Sequence, residues 1–240
     1  MANVIVTGGS RGIGLATVRA LAAEDYTVIA IARSESTELT GGAQQARNSI
    51  YFIRFDLEKV AEIHGLVRSL RERFGPIYGL VNNAGLGTEG ILGNMPEQKI
   101  EQLIRLNTLA PIVLTKYVVR SMMNEGAGRI VNISSIVADN GASGLSVYAA
   151  TKASMIGFTK SLAREVGRLG ITVNAVAPGF VDTELTASMD EEQRQRIARR
   201  SALQRLANPQ DVAEAVLFLL SDKARNITGS VVTVDAGNTA

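Results

Sequence analysis

Two side chains four residues apart could exchange a proton with a substrate. Tyr148 and Lys152 occur in Tyr-Ala-Ala-Thr-Lys, at the start of a helical pattern. Positions i and i+4 share one face of a helix, so the phenol and the ammonium group can reach one site. A free tyrosine, with a pKa of about 10, is a poor base near neutrality, and a neighbouring cation lowers that pKa. The spacing permits acid–base chemistry, but for this pair alone an ordinary helix that carries a Tyr and a Lys is the favoured interpretation, because such pairs are common.

A glycine-rich turn near the start of the chain could hold phosphate groups. It reads Thr-Gly-Gly-Ser-Arg-Gly-Ile-Gly over 7–14, directly after one predicted strand and at the start of a predicted helix. Glycine permits the tight turn and the close approach of the backbone to a pyrophosphate, and the free N–H groups of the helix N-terminus attract anions. A purely structural glycine turn is the alternative. The residues predicted to bind the cofactor here are Gly8, Ser10, Arg11, Gly12, Ile13 and Gly14.

The end of the second predicted strand indicates which nicotinamide cofactor is bound. An acidic residue at this point binds the ribose 2′-hydroxyl of NAD, whereas an arginine accommodates the 2′-phosphate of NADP. The strand ends with Ala32-Arg33-Ser34 and has no carboxylate at its tip. Arg33 and Arg11 could both form charge-assisted bonds to a phosphate. We therefore expect NADP(H), with NAD(H) as the weaker alternative, and we include Arg33 and Ser34 in the cofactor site.

The elements that position these residues alternate along the whole chain. Short apolar runs rich in Val and Ile predict strands, and amphipathic stretches between them predict helices. This alternation predicts a single-domain α/β fold over 1–240, a Rossmann-type doubly wound sheet of about seven parallel strands with helices on both faces. The predicted strands are 3–7, 27–32, 50–55, 77–81, 129–133, 171–176 and 231–234, and the predicted helices are 13–23, 59–73, 97–124, 147–167 and 210–220.

The polar stretch 183–208 is the longest departure from this alternation. Ser188 and Glu191 have the spacing of a capping box, which predicts a small extra helix. Asn208-Pro209 predicts the start of the next helix, with Asn at the N-cap and Pro at N1. We expect the stretch to act as a substrate loop or lid. Its basic run over 194–200 is interpreted either as a solvated helix face or as a surface that meets an anionic substrate or carrier.

Taken together, the motifs resemble the short-chain dehydrogenase/reductase family from residue 3 to about 237. Ser135 lies 13 residues before Tyr148, a spacing that this family commonly shows. The order of the motifs is highly specific. They are Thr7-Gly8-x-x-x-Gly12-x-Gly14, Asp56, Asn82-Asn83-Ala84-Gly85, Asn107, Ser135, Tyr148-x-x-x-Lys152 and Pro178-Gly179.

The resemblance implies a role for each catalytic residue. Tyr148 exchanges a proton with the substrate oxygen, and Ser135 hydrogen-bonds that oxygen and polarises the carbonyl group. Lys152 lowers the pKa of Tyr148 and holds the nicotinamide ribose, and Asn107 holds a water that links Lys152 to solvent. Further cofactor-binding residues follow from the same resemblance: Asp56, Leu57, Asn83, Ala84, Gly85, Tyr148, Lys152, Pro178, Gly179, Val181 and Thr183.

Within the family, the chain is most similar to 3-oxoacyl-acyl-carrier-protein reductases of fatty acid synthesis. That similarity implies a carrier-bound ketone as substrate and acyl carrier protein as partner. The carrier-gripping basic residues of that group are missing from Met123–Gly128, and Arg168 lies one position early. A reductase or dehydrogenase for another ketone, diketone or sugar-like alcohol is therefore an alternative, as is a non-catalytic NADP-binding sensor or scaffold.

Composition excludes several other classes of protein. The 240 residues include no cysteine and a single histidine, His64, which we expect on the surface, so thiolate and Ser-His-Asp chemistry are excluded. A net charge of +2 and the lack of an arginine-rich stripe argue against nucleic acid. We expect no metal site, no membrane segment and a cytoplasmic location. The resemblance implies a homotetramer that pairs the helices near 97–124 and 147–167 and, elsewhere, the 210–240 region, with a dimer as the alternative.

Overall fold

Seven parallel strands form the centre of the molecule. The computed structural model describes residues 2–40, 49–87, 89–181 and 190–240. The strand order in the sheet is β3-β2-β1-β4-β5-β6-β7, with every pair parallel. The strands are β1 (Asn3–Thr7), β2 (Thr27–Ala32), β3 (Ile50–Arg54), β4 (Ile77–Asn82), β5 (Gly128–Ile133), β6 (Ile171–Pro178) and β7 (Val231–Val234). The predicted Rossmann-type α/β sheet is confirmed.

Helices connect the strands and lie on both faces of the sheet. They are α1 (Gly12–Ala23), α2 (Thr37–Thr40), α3 (Ile63–Phe74), α4 (Glu97–Ile104), α5 (Ala110–Glu125), α6 (Val137–Asn140), α7 (Ser146–Val166), α8 (Glu191–Arg200) and α9 (Pro209–Leu220). One apolar layer contains residues of α3, α5 and α7, and the other contains residues of α1 and α9. None of the helices in the described ranges combines the length and the apolar character needed to cross a membrane.

Two helical predictions require correction. The stretch 97–124 is divided into α4, a π-helical turn over Arg105–Leu109, and α5. The stretch 59–73 begins with a 3₁₀ turn, Val60–Glu62, before α3. The π turn is the more important difference, because an extra residue per turn rotates the side chains that follow and such turns often occur at functional sites.

The stretch after β6 contains the extra helix that the sequence predicts. This helix, α8, begins after Asp190, whose side chain accepts a hydrogen bond from Gln193 N at 2.7 Å in a capping box. The predicted cap was wrong, because the N-cap of α8 is Asp190 and its capping partner is Gln193 instead of Glu191. Ser188, the predicted cap, lies outside the described residues. The prediction for α9 is confirmed: Asn208 is its N-cap and Pro209 its first residue.

The topology creates a crevice at one edge of the sheet. β1 pairs with both β2 and β4, so the chain reverses its direction of winding between these strands. In open α/β sheets, ligands bind outside the carboxyl ends of the strands at this reversal point. The glycine-rich turn follows β1, and Ser135 follows β5, so both lie at this edge.

Candidate active site

The glycine-rich turn has the backbone geometry of a phosphate cradle. Gly8 and Gly12 have φ angles of +66° and +53°, which only glycine adopts without strain. A Cβ on Gly14 would collide with the carbonyl oxygen of Gly8. No acidic residue lies in the first turn of α1, and its N-cap, Arg11, makes no side-chain capping bond. The N-cap side chain therefore does not cap the N–H groups at this helix end, and these groups fit an anion such as a pyrophosphate.

Thr7 and Asn83 fix this turn against the end of β4. The amide of Asn83 donates to Thr7 O at 2.9 Å and to Gly8 O at 3.3 Å. The hydroxyl of Thr7 accepts hydrogen bonds from Asn83 N at 2.9 Å and from Ala84 N at 3.0 Å. The Asn-Asn-Ala-Gly motif thus has a clear structural role, which is compatible with the predicted role of Asn83, Ala84 and Gly85 in lining the crevice.

The residues predicted to bind the 2′-phosphate and the adenine of the cofactor lie in two neighbouring places. Arg33 and Ser34 are exposed directly after β2, where a 2′-phosphate could reach them. Asp56 and Leu57 follow β3 at the same edge of the sheet. Asp56 Oδ1 accepts a bond from Glu58 N at 3.0 Å, and Leu57 is buried. One oxygen of the Asp56 carboxylate is therefore committed to a local turn, and the other carboxylate oxygen could accept a bond from an adenine.

Ser135, Tyr148 and Lys152 are brought together from β5 and α7. The Ser135 side chain lies near enough to the Tyr148 hydroxyl to lower the pKa of the phenol. The Nζ atom of Lys152 lies 5.7 Å from the centroid of the Tyr148 ring and donates to Ile133 O at 2.9 Å. Ser134 adds a second connection, since its hydroxyl donates to Lys152 O at 2.9 Å. The three residues therefore form one compact polar cluster at the carboxyl edge.

Burial shifts the acidity of two groups in this cluster. Burial raises the pKa of Tyr148 above its usual 10.0, and the nearby Ser135 hydroxyl offsets part of this increase. Burial lowers the pKa of Lys152 from 10.5 to about 8. The direction for Tyr148 is opposite to the one expected from the sequence, because desolvation of the phenolate outweighs any effect of Lys152. Near neutrality, the phenol of Tyr148 therefore keeps its proton.

Asn107 lies in the π turn and faces the same cluster. Its amide accepts from Leu86 N and donates to Leu86 O, both at 2.8 Å, and also donates to the Thr151 hydroxyl at 3.2 Å. A Cβ placed on Gly85 would lie 3.3 Å from Asn107 Oδ1 and 3.5 Å from Lys152 Nζ. Asn107, Gly85 and Lys152 therefore border one small space. The side-chain amide of Asn107 is bonded to other protein groups. The water predicted to link Lys152 to solvent would therefore need another partner, such as a backbone group of the π turn.

The end of β6 forms the far side of the crevice. Pro178 O accepts a bond from Ile136 N at 3.0 Å, and Gly179 N donates to Val234 O at 2.9 Å. A Cβ on Gly179 would lie 2.6 Å from the Cβ of Asp235, so the backbone requires glycine there. Val181 is buried and forms a parallel bridge with Ala207. Thr183, predicted to hold the carboxamide, lies outside the described residues.

The sequence reasoning missed Thr151, which connects two predicted site residues. Its hydroxyl donates to Tyr148 O at 2.7 Å while it accepts from Asn107. The sequence position of Thr151, three residues after Tyr148, indicates that the two side chains are neighbours, because residues i and i+3 lie on the same face of a helix. The backbone acceptor Ile133 O could not have been identified in this way, since a backbone carbonyl has no sequence signature.

The single histidine lies on the surface, on a helix that contributes no residue to the polar cluster. His64 is exposed on α3 and stacks on Tyr117, with ring centroids 4.7 Å apart. Across 2–40, 49–87, 89–181 and 190–240, there is no group of three or more His, Asp or Glu side chains that could hold a metal ion.

The chain matches one family model and is similar to several reductases of known sequence. A family model described as enoyl-(acyl carrier protein) reductase matches residues 8–239. The 3-oxoacyl-acyl-carrier-protein reductase FabG of Escherichia coli strain K12 is 40% identical over 237 residues, covering 97% of this chain and 95% of the relative. Carbonyl reductase family member 4 of Xenopus tropicalis is 38% identical over 232 residues, with the same coverage.

Solved structures with the same architecture include complexes with NADP. ElxO with NADP bound superimposes with a TM-score of 0.91 at 32% identity, covering 99% of this chain and 98% of that one. A gluconate 5-dehydrogenase from Burkholderia cenocepacia J2315, in complex with NADP and tartrate, gives a TM-score of 0.93 at 28% identity, with coverage of 99% and 95%.

Proposed function

Because the chain belongs to the short-chain dehydrogenase/reductase family, we propose that it reduces 3-oxoacyl groups on acyl carrier protein with NADPH. It is an NADP-dependent oxidoreductase that interconverts a ketone and a secondary alcohol. The product would be the 3-hydroxyacyl carrier, an intermediate of fatty acid synthesis. The observation that carries this proposal is the cluster in which Tyr148 lies beside Ser135 and the buried Lys152.

The crevice fits NADP on structural grounds. The uncapped N-terminus of α1 and the glycine turn suit a pyrophosphate, and the exposed Arg33 and Ser34 suit a 2′-phosphate. Asp56, Gly85, Lys152 and Val181 would complete the site toward the adenine, the ribose and the nicotinamide. When bound, NADPH supplies the hydride that the carbonyl carbon accepts.

The protein side chains supply the proton and the alignment. In reduction, the hydride goes to the carbonyl carbon and the Tyr148 hydroxyl gives its proton to the carbonyl oxygen. Ser135 would donate a hydrogen bond to that oxygen, which stabilises the negative charge that develops in the transition state. Lys152, held by Ile133 O, would hold the ribose and supply a proton back toward Tyr148. Asn107 and Thr151 keep α7 in register with the π turn.

The protonation state of the site is compatible with proton donation by Tyr148. A general acid must hold its proton at the working pH. Burial keeps the pKa of Tyr148 above 10.0, so the phenol is protonated near neutrality and ready to donate. Lys152, with a pKa of about 8, is mostly charged at neutral pH and can release a proton with less difficulty than an exposed lysine.

A second candidate substrate is a small ketone that is not bound to a carrier. The end of α5 presents Met123, Asn124 and Glu125 instead of basic residues, and Arg168 is exposed on a separate 3₁₀ turn. Relatives named as a carbonyl reductase and a gluconate 5-dehydrogenase act on other carbonyl compounds or alcohols. This alternative includes ketones, diketones and sugar-like alcohols.

Steady-state oxidation of NADPH tests both candidates. The proposal predicts a higher kcat/KM for 3-oxobutanoyl-acyl-carrier-protein than for the same acyl group on N-acetylcysteamine. Equal values, or turnover only with free ketones or sugars, would favour the second candidate. Tight NADPH binding without turnover of any carbonyl compound would instead support a non-catalytic sensor or scaffold.

The proposal includes a homotetramer in the cytoplasm. Large apolar side chains that are exposed on α4–α5 and on α9 support assembly through these helices, since burying them removes apolar area from water. These are Ile104, Leu109, Met123 and Phe218, each between 41% and 48% exposed. Analytical ultracentrifugation tests the tetramer, and a monomer at micromolar concentration would contradict it. The cytoplasmic location stays a prediction from the sequence.

A further inference from the structure

A basic surface lies on α8 and the segment that follows it. It consists of Arg199 and Arg200 in the last turn of α8, with Leu203 and Arg205 just beyond, and we refer to these four residues as the rim surface. All four are exposed, and Leu203 is 61% exposed. α8 contains no buried residue. The core therefore does not explain the composition of this helix, and Leu203 adds an exposed apolar side chain between Arg200 and Arg205 in the sequence.

The acidic residues near the start of α8 are occupied elsewhere. Asp190 accepts the capping bond from Gln193 N, and Glu191 accepts from the Gln195 amide at 3.1 Å. Glu192 pairs with Arg196 at 3.4 Å. Within the described ranges, Arg199, Arg200 and Arg205 have no carboxylate in ion-pair distance. Among the residues that the structure describes, the rim surface is therefore a local excess of three unpaired positive charges.

Helix electrostatics accounts for only part of this excess. The C-terminus of a helix favours cations by about 0.3–1 kcal/mol each, and this explains Arg199 and Arg200 in the last turn. Arg205 lies five residues after the end of α8, beyond the range of that effect. Together with the exposed Leu203, Arg205 extends the basic segment beyond the helix end, and a protein partner that combines acidic and apolar groups would fit such a segment.

The rim surface is held in a fixed place by the C-terminal turn. Ala202 N donates to Gly237 O at 3.2 Å, and Leu203 N donates to Ala236 O at 3.0 Å. The Asn238 amide donates to the Ser201 hydroxyl at 3.2 Å. The backbone that carries the surface is thus anchored at the end of β7. A surface that is already ordered loses less conformational entropy when a partner binds.

The same anchor places the rim surface beside the catalytic crevice. Ala207, two residues after Arg205, bridges to Val181, which follows β6 at the carboxyl edge. β6 in turn pairs with β5, and Ser134 N donates to Val176 O at 2.7 Å immediately before Ser135. A macromolecule bound to the rim surface could therefore present a flexible arm to the site that contains Ser135 and Tyr148.

We propose that the rim surface is the docking site for the acidic carrier protein that delivers the 3-oxoacyl group. The proposal rests on the function given above and adds the place where the carrier binds. Arg199, Arg200 and Arg205 contact carboxylates of the carrier, and Leu203 packs against apolar side chains between them. The surface replaces the missing basic residues at Met123–Gly128.

A charge-neutralising variant with a matched control tests this proposal. The test variant is Arg199→Gln/Arg200→Gln/Arg205→Gln. The control, Arg71→Gln/Lys223→Gln/Arg225→Gln, removes the same number of charges at the opposite edge of the sheet, where α3 leads into β4 and where β7 begins. We expect kcat/KM for 3-oxobutanoyl-acyl-carrier-protein to fall about tenfold or more in the test variant only, with the largest effect at low salt. The N-acetylcysteamine thioester, which has no carrier, should react within about twofold of the wild-type rate.

Three results would overturn the proposal: an equal loss with both substrates, an equal loss in the control variant, or no loss in the test variant. A direct measurement of carrier-protein binding tests the docking site independently of the proposed catalytic function. If the wild type does not reduce the carrier substrate, the function fails, but fluorescence anisotropy of labelled acyl carrier protein still measures docking. Binding to wild type that is no tighter than binding to the test variant would then exclude the rim surface.

Discussion

The side-chain amide of Asn107 is hydrogen-bonded at both ends to the backbone of Leu86. Its oxygen accepts from Leu86 N and its nitrogen donates to Leu86 O, each at 2.8 Å. A carboxamide can do both at once, whereas a carboxylate can only accept. This pair joins the π turn to the loop after β4 and fixes the wall of the site opposite Lys152.

Asn107→Asp should therefore destabilise the protein and slow turnover. The substitution keeps the shape but places a carboxylate oxygen against Leu86 O, so a donor is lost and two acceptors face each other. We expect a loss of about 1–3 kcal/mol in the free energy of unfolding, measured in urea, together with a lower kcat. Asn94→Asp, on an exposed turn, is the control and should change neither value. Unchanged stability of Asn107→Asp would show that the Leu86 contact contributes little.

Tyr148→Phe should abolish turnover and leave cofactor binding intact. The ring and its packing remain, but the proton donor is removed, and general acid catalysis commonly contributes about 10²–10⁴-fold in rate. NADPH oxidation measures the loss, and a fluorescence titration measures the Kd for NADPH, which should stay within about twofold. Tyr78→Phe is the matched control, because that hydroxyl bonds to Leu220 O far from the site. An equal loss of NADPH affinity in Tyr148→Phe would show that its role is misassigned.

The sheet could be predicted from the sequence because its strands are short apolar runs, and central strands such as β5 and β6 are buried along their whole length. The end of β6 shows the limit of that signal. The apolar pattern predicts 171–176, yet the strand continues to Pro178, which pairs with Val234 in the last position of the ladder. A proline can occupy that end position because the neighbouring Gly179 N supplies the hydrogen bond to Val234 O.

The π turn in the predicted helix 97–124 had one signal that the sequence reasoning did not use. Pro111 lies at the start of α5, directly after the turn, and a proline within a helical pattern indicates a break or a kink. The raised pKa of Tyr148 had no such signal. The pKa of Tyr148 depends on how deeply the whole fold buries the phenol. The helical spacing indicates only that Lys152 is near.

The pKa of Lys152 predicts a specific dependence of stability on pH. The pKa is about 8 in the folded chain and 10.5 as a free side chain. Between these values the unfolded chain binds more protons, so the free energy of unfolding rises with pH. The contribution should amount to about 2 kcal/mol between pH 8 and pH 10. Above pH 10, Tyr148 acts in the opposite sense, because its raised pKa keeps a proton on the folded chain.

Urea unfolding of wild type and Lys152→Met at pH 7, 8, 9 and 10 isolates this contribution. The free energy of unfolding of the wild type, relative to the variant, should rise across this range. Lys160→Met, which changes an exposed lysine on the same helix, should show no such trend. A flat difference between wild type and Lys152→Met would mean that Lys152 titrates like an exposed lysine.

Gly14→Ala should prevent NADPH binding. The added methyl group would collide with Gly8 O, a backbone atom that cannot move without opening the turn. We expect the Kd for NADPH to rise at least about tenfold and the melting temperature to fall. Gly65→Ala is the matched control: Gly65 lies in α3 with no atom within 4 Å of an added Cβ. It should stabilise the protein by about 0.5–1 kcal/mol, because alanine is the better helix former. Normal NADPH affinity in Gly14→Ala would remove the phosphate site from this turn.

Arg33→Ala should change the choice of cofactor more than the rate of reaction. Arg33 is exposed directly after β2, where the 2′-phosphate distinguishes NADPH from NADH. A charge-assisted bond to a phosphate contributes about 1.5–3 kcal/mol, so we expect the Kd for NADPH to rise about 10- to 100-fold. The Kd for NADH should change little, since that cofactor has a hydroxyl in the same place. Arg68→Ala, on the outer face of α3, controls for loss of a surface charge. Equal weakening of both cofactors would show that another residue, such as Arg11, reads the 2′-phosphate.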